Sequence, residues 1–309
     1  MNKIKYLANS VFMIRPKHFS SNEQTLLSNS FQNTLPDDIS HEQLSATVNQ
    51  EFDAMVAKVE QYGVDVTVFD DLQDPLSPDA IFPNNWLTTH LDGKIITYPM
   101  MAATRRNERR KDIIEYLLRE CGFTKHYAFD YLEAEGKYLE GTGSMVLDRA
   151  NRIAYASLSP RTHIEALDKF AVLNAYRKIV FNAEHKAQAI YHTNVMMSLG
   201  LDFCIVCLDA IPDEVQRYTV RESLQLTGKE IIEISSSQME NFAGNALSLR
   251  NRENQPLLVI SSKAVDCMSG HQLESLNSYA TLVQIDIPSI EKYGGGSVRC
   301  MMAELYKSL

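Results

Sequence analysis

A unit of strand, turn, strand, helix and strand recurs along this chain, and that recurrence restricts the fold more than any other feature. Trp86–His90 alternates like a strand, Asp92-Gly93 is a strong hairpin turn, and Lys94–Tyr98 is the return strand. A helix over about 105–121 and a strand near His126–Phe129 complete the unit. Ser144–Asp148 and Ile153–Ser157 begin the next, followed by a helix near 162–173 and the strand Lys178–Asn182. Asn194–Ser198 and Phe203–Leu208 flank Leu199-Gly200, ahead of a helix near 213–227 and the strand Glu230–Ser235. Ala246–Leu249 and Leu257–Ser261 precede a helix near 270–279 and Leu282–Ile287. The leftover pieces make a fifth unit from both ends of the sequence: Met301–Tyr306, Val11–Ile14, a helix near 41–61 and Val64–Phe69. If Met301–Tyr306 pairs with Val11–Ile14, the units close into a ring.

The start of each first hairpin strand carries a polar residue. Asn85, Glu140, His192, Asn245 and Cys300 are spaced by 55, 52, 53 and 55 residues. Equivalent positions in a ring converge on its axis, so these five are expected to meet in one pocket. The set makes chemical sense. A cysteine thiolate is a nucleophile. A histidine can protonate a leaving amine and then activate water. A carboxylate can orient that histidine and grip substrate N–H groups. Singly, each has a plainer reading: a buried Cys, a structural His, a turn-binding Glu, turn-capping Asn residues. Their common register favours the catalytic reading.

Composition narrows the function classes. The chain has 309 residues, 45% hydrophobic, with a formal net charge of −9, which argues against a nucleic-acid surface. The basic run Arg105-Arg106-Asn107-Glu108-Arg109-Arg110-Lys111 reads as a solvated helix face. No apolar stretch reaches the roughly 18–20 residues of a membrane span, and residues 1–7 lack a signal-peptide core. A cytoplasmic protein without a membrane partner is expected. The five cysteines do not form a disulfide framework. Cys204 and Cys207 lie in an apolar strand pattern with no second Cys/His pair nearby, so a zinc site is not expected.

With these residues in view, the sequence resembles the pentein superfamily of guanidine-modifying enzymes, which includes arginine deiminase, dimethylargininase, succinylarginine dihydrolase and the amidinotransferases. It is most similar to the arginine deiminase-related, citrulline-hydrolase-like branch. The resemblance runs from Phe82-Pro83-Asn84-Asn85-Trp86 to Gly294-Gly295-Gly296-Ser297-Val298-Arg299-Cys300. Leu139-Glu140-Gly141-Thr142-Gly143 looks like the family's acidic-Gly-Gly motif, and Ser157-Leu158-Ser159-Pro160-Arg161-Thr162 like a dimethylargininase stretch whose arginine contacts the substrate carboxylate. The resemblance implies an α/β fold, a five-bladed α/β propeller in one domain spanning 1–309. It implies covalent catalysis by Cys300, His192 and Glu140 without metal or cofactor, on a small guanidino or ureido amino acid. Arg161 would bind the carboxylate, while Asn84, Asn85, Asn194, Asn245 and Asp79 would contact substrate. Relatives that bind guanidinium place carboxylates where this chain has Asn84, Asn85 and Asn194, so a neutral ureido group is favoured here, although Asp79 just upstream supplies a negative charge. An amidinotransferase and a non-catalytic binding protein on the same fold are the alternatives, and a homodimer is compatible. The polar stretch from Ser20 to Ser40 reads either as a lid or as a surface loop.

Overall fold

In a computed structural model, residues 3–26, 29, 31–36 and 40–306 are described. The strands, in chain order, are β1 (Ser10–Arg15), β2 (Asp65–Asp70), β3 (Leu87–Thr89), β4 (Lys94–Thr97), β5 (Lys125–Ala128), β6 (Val146–Asp148), β7 (Ile153–Ser157), β8 (Arg177–Phe181), a small hairpin of β9 (Glu184–His185) and β10 (Gln188–Ala189), β11 (Met197–Leu199), β12 (Phe203–Val206), β13 (Glu230–Glu233), β14 (Leu247–Arg250), β15 (Pro256–Ser261), β16 (Thr281–Ile285) and β17 (Ala303–Glu304). Besides the β9–β10 hairpin, they form, among the described residues, five three-stranded sheets with one pattern. In each, a short first strand runs antiparallel to the central strand, which runs parallel to the third.

The two ends of the sequence build one sheet together, as expected from the leftover pieces. Val11 pairs with Glu304 and Phe12 with Ala303. Hydrogen bonds then link each sheet to the next. Thr142 Oγ1 donates to Asn84 O, and Thr193 Oγ1 to Ser144 O. Asn245 Nδ2 donates to Asn194 O, and Arg299 N to Asn245 Oδ1. Thr89 Oγ1 donates to Glu304 O, joining the fifth sheet to the first.

Helices pack on the sheets for local reasons legible in their sequences. In the helix His41–Gln61, Leu44, Val48, Phe52, Met55 and Val59 repeat at three- and four-residue steps and are buried. Ser40 and Gln43 form a capping box at its start. Ser269 and Gln272 do the same for Gly270–Tyr279. No helix among the described residues is long and apolar enough to cross a membrane.

Three elements differ from the sequence reading. The expected helix over 105–121 is two, Ala103–Arg106 and Lys111–Glu120, with Arg105 buried in the first and Glu108 buried in the link between them. Strand β11 starts only at Met197, since Thr193–Val195 forms a single 3₁₀ turn. Strand β17 is likewise confined to Ala303–Glu304, with residues 298–301 in turns.

Phe12, fully buried on β1, has its ring 6.0 Å from Trp86 of the neighbouring sheet and 5.9 Å from Phe69. Phe12→Ala is expected to reduce the unfolding free energy by about 3–5 kcal/mol, measured by urea denaturation. A loss below about 1 kcal/mol would show that this seam is not tightly packed.

Candidate active site

A recurrent backbone hydrogen bond fixes which residues are equivalent. Asn85 N donates to Phe82 O, Val195 N to His192 O, Asn245 N to Phe242 O, and Cys300 N to Ser297 O. Asn85, Asn245 and Cys300 therefore share one repeat position, as expected. His192 and Glu140 do not. His192 stands three residues earlier, in the place of Phe82, Phe242 and Ser297, and Gly143 N and Ser144 N both close on Glu140 O. The nucleophile candidate thus comes from the end of its turn and the other two from the beginning of theirs. His192 and Cys300 still line one cleft, because side chains at the two ends of so short a turn can face the same space.

One cleft is lined by Asp79, Asn85, Arg105, Arg161, His192 and Cys300. Cys300 Sγ lies 3.4 Å from Asn194 Nδ2 and 3.3 Å from Asn245 Nδ2. The Asn245 amide is oriented by its other contacts. Its oxygen accepts from Arg299 N at 3.1 Å, and its nitrogen donates to Asn194 O at 3.0 Å. An oxygen fixed by a backbone N–H leaves the NH₂ to face the sulfur.

His192 Nε2 lies 2.8 Å from Glu140 Oε2, and both side chains are almost fully buried. Burial, the largest influence, would protonate Glu140. The Arg161 guanidinium, the hydrogen bond from His192 and the Arg105 guanidinium outweigh it and hold Glu140 down at about 2. Burial dominates for His192 and pushes it down to about 4, against the opposing pull of Glu140. At neutral pH the pair is a carboxylate accepting from a neutral imidazole. Nε2 carries the proton, since an ionised carboxylate only accepts, and Nδ1 is the basic nitrogen. Gly143 makes room for the ring: a Cβ there would stand 2.4 Å from Asn85 Nδ2 and 2.8 Å from His192 Cε1.

Arg161 is buried, with Nη1 3.6 Å from Glu140 Oε2, Nη2 donating to Thr25 O, and its guanidinium 4.8 Å over the Tyr191 ring. It is not a surface arginine. Asp79 Oδ2 accepts from Asn22 Nδ2 at 2.8 Å and lies 3.6 Å from Arg105 Nε. Asn84 is fully buried, donating to Thr142 Oγ1 and accepting from Asn85 Nδ2. It braces the wall instead of facing the cleft. Asn194 Oδ1 is buried without a hydrogen-bond partner among the described residues.

The basic run is corrected here. Arg105, at 3% exposure, reaches into the cleft, pairs with Glu108 at 2.8 and 2.9 Å, and donates to Asn85 Oδ1 at 2.7 Å. Arg109 pairs with Glu133. The signal in the sequence was Glu108, which sits three residues after Arg105 and satisfies it inside the protein. The sequence leaves the segment from Ser20 to Ser40 open between a lid and a surface loop. Within it Thr25 and Asn29 line the cleft, and Asn29 Nδ2 donates to Gly295 O. Residues 27–28, 30 and 37–39 of that segment lie outside the described residues. Gly295 has φ +65°, and a Cβ on it would meet Asn29 and Gln32 at 2.6 and 2.7 Å.

Comparison with known proteins follows from this geometry. The sequence model of the family described as N,N dimethylarginine dimethylhydrolase, eukaryotic, matches residues 15–307. The chain belongs to this family. No curated protein matches it in sequence. Among solved structures, it is similar to an arginine dihydrolase of the ornithine–ammonia cycle in cyanobacteria (15% identity, TM-score 0.75), with 97% of this chain covered and 41% of that one. This chain thus spans about two-fifths of that relative's length. Against the substrate-bound N-terminal domain alone, coverage is 97% and 98%, with 14% identity and TM-score 0.74. A dimethylarginine dimethylaminohydrolase variant, in an adduct with S-methyl-L-thiocitrulline, matches 96% of this chain and 100% of its own at 16% identity and TM-score 0.63. The chain has the pentein fold these structures share, as the sequence resemblance implied.

Burying His192 in its neutral form has a thermodynamic signature. Its folded value lies below the ordinary 6.5, so the unfolded chain binds more protons between pH 6.5 and about 4. Folding stability should therefore fall on acidification through that window, by up to roughly 1.4 kcal/mol per pH unit for this one group. His90, fully buried and also pushed well down, chiefly by burial, adds a similar slope. Urea unfolding of His192→Asn should show a shallower dependence by about one proton, with the His90 slope remaining. Equal slopes would mean that His192 is not held neutral.

Proposed function

We propose that the chain is a cysteine-dependent hydrolase that cleaves a C–N bond of a guanidino or ureido amino acid and releases ammonia. One observation carries this reading. Cys300 Sγ, flanked by two amide groups, faces the same cleft as an imidazole already held by a carboxylate. The family and the structural relatives support it, since their names specify dimethylarginine and arginine as what they act on.

The neutral His192 imidazole accepts the thiol proton as Cys300 Sγ attacks the central carbon of the substrate. Asn194 and Asn245 stabilise the charge on sulfur through their N–H groups. His192 returns the proton to the departing nitrogen, the C–N bond breaks, and ammonia leaves a carbon bound to sulfur. Water then attacks that carbon and gives a proton to His192. The C–S bond breaks and the proton returns to Cys300. Glu140 holds the imidazole and stabilises its charged form throughout.

The charges in the cleft support a neutral ureido head over a cationic guanidinium. Glu140 and Asp79 lie beside the buried Arg105 and Arg161 guanidinium groups, and Glu108 is paired with Arg105. The groups nearest the sulfur are amides, which offer donors and acceptors but no net charge. The unpartnered Asn194 Oδ1 suits a ureido N–H. Arg161 and Arg105 are the candidates for the substrate carboxylate.

Purified protein should release ammonia from citrulline with a higher kcat/KM than from arginine. Cys300→Ala should abolish release from both, and Arg161→Ala should raise KM at least tenfold and also lower kcat, because Glu140 loses a partner. Ammonia release that persists in Cys300→Ala would overturn the reading. Preference for arginine would transfer the assignment to the guanidino class.

A further inference from the structure

A second cavity, of about 60 Å³, adjoins the turn that carries Arg299 and Cys300. The two spaces meet at one pair of neighbouring residues. Cys300 faces the cleft and Arg299 the cavity, and Ala246, next to Asn245, also faces the cavity. The proposed reaction uses none of the groups in this second space.

Its lining is charged and buried. Lys229 Nζ lies 3.1 Å from Asp148 Oδ2 and also donates to Gly200 O and Leu201 O. Glu304 is held between Arg299, at 2.7 Å, and Arg149, at 3.5 Å. All five charged side chains are at most 10% exposed. Three cations face two carboxylates: Arg149 shares Glu304 with Arg299, lies 4.1 Å over the Tyr306 ring and donates to Thr89 O, but among the described residues of the lining no further carboxylate balances its charge. An uncompensated buried charge is costly.

Two hydroxyls point to the same conclusion independently. Ser198 on β11 and Ser248 on β14 line the cavity at 5% and 6% exposure, and neither Oγ has a hydrogen-bond partner among the described residues. Buried hydroxyl groups are ordinarily satisfied. A ligand with several acceptor oxygens and one negative charge would take both hydroxyl donors and balance the third cation.

We infer that this cavity is a binding site for a small oxyanion, a carboxylate or a phosphate, and that its occupancy alters the reactivity of Cys300. The link is short. Arg299 N donates to Asn245 Oδ1, and the same amide presents Nδ2 to Cys300 Sγ. An anion that draws the Arg299 side chain away from Glu304 shifts the peptide that aims this donor.

The test uses the full chain, wild type and Ser198→Ala/Ser248→Ala, with each single variant as a control for folding. Thermal unfolding is followed against inorganic phosphate or acetate, with ionic strength held constant by chloride. The rate of Cys300 alkylation by iodoacetamide is read by peptide mass under the same conditions. A saturable rise in Tm is expected with at least one anion, with a half-saturating concentration at least tenfold higher in the double variant. Saturating anion should change the alkylation rate at least twofold in wild type and not in the double variant. Phosphate alone or acetate alone producing the effect identifies the source of the oxyanion. No saturable rise with either, or equal half-saturation in the double variant, overturns the site. Unchanged alkylation overturns the coupling. None of these readouts depends on turnover, so the site stands or falls separately from the hydrolase reading.

Discussion

The side-chain amide of Asn245 ties its own repeat unit to two others, and the geometry around Cys300 depends on it. Its nitrogen meets Asn194 O and Cys300 Sγ, and its oxygen takes Arg299 N. Asn194 belongs to the turn before β11, Asn245 to the turn before β14, and Arg299 and Cys300 to the turn before β17. The sulfur is thus positioned by the contact between units, not by any one unit. Closure of the sequence ends into one sheet is part of the same constraint, because β17 must reach β1 for Cys300 to stand where it does.

A second constraint is electrostatic. Glu140 is the centre of the cleft's charge pattern. It receives His192 and the backbone N–H of Met101, with Arg161 and Arg105 at 3.6 and 3.9 Å. Removing one partner of such a buried set leaves the others uncompensated, which is more disruptive than the worth of any single pair. The pattern keeps a carboxylate ionised beside a neutral imidazole within the protein. That combination lets His192 carry a proton in either direction during a two-step reaction.

Much of this was legible in the residues. The Asp92-Gly93 turn, with φ +78° at Gly93, marks its hairpin, and the apolar spacing of Leu44, Val48, Phe52, Met55 and Val59 marks its helix. The convergence of Glu140, His192, Asn245 and Cys300 was legible from spacing, but the register was not. Similar intervals hid a three-residue offset for His192 and Glu140, because the turns before the strands carry cleft-lining side chains at either end. Arg105 was hidden for a different reason. A run of basic residues looks solvated, and only the pairing of Arg105 with Glu108 and Asn85 shows it to be interior. The backbone path that brings Thr25 and Asn29 over the cleft leaves no periodic signal at all.

The most direct test of the account is the mass of the Cys300 peptide after rapid acid quench of the protein with citrulline labelled at its ureido carbon. The account predicts a labelled adduct on Cys300 that forms and decays during wild-type turnover and forms far more slowly in His192→Asn, where the proton relay from the thiol to the departing nitrogen is lost. Turnover with no label on Cys300 at any time, in wild type or in His192→Asn, would contradict it.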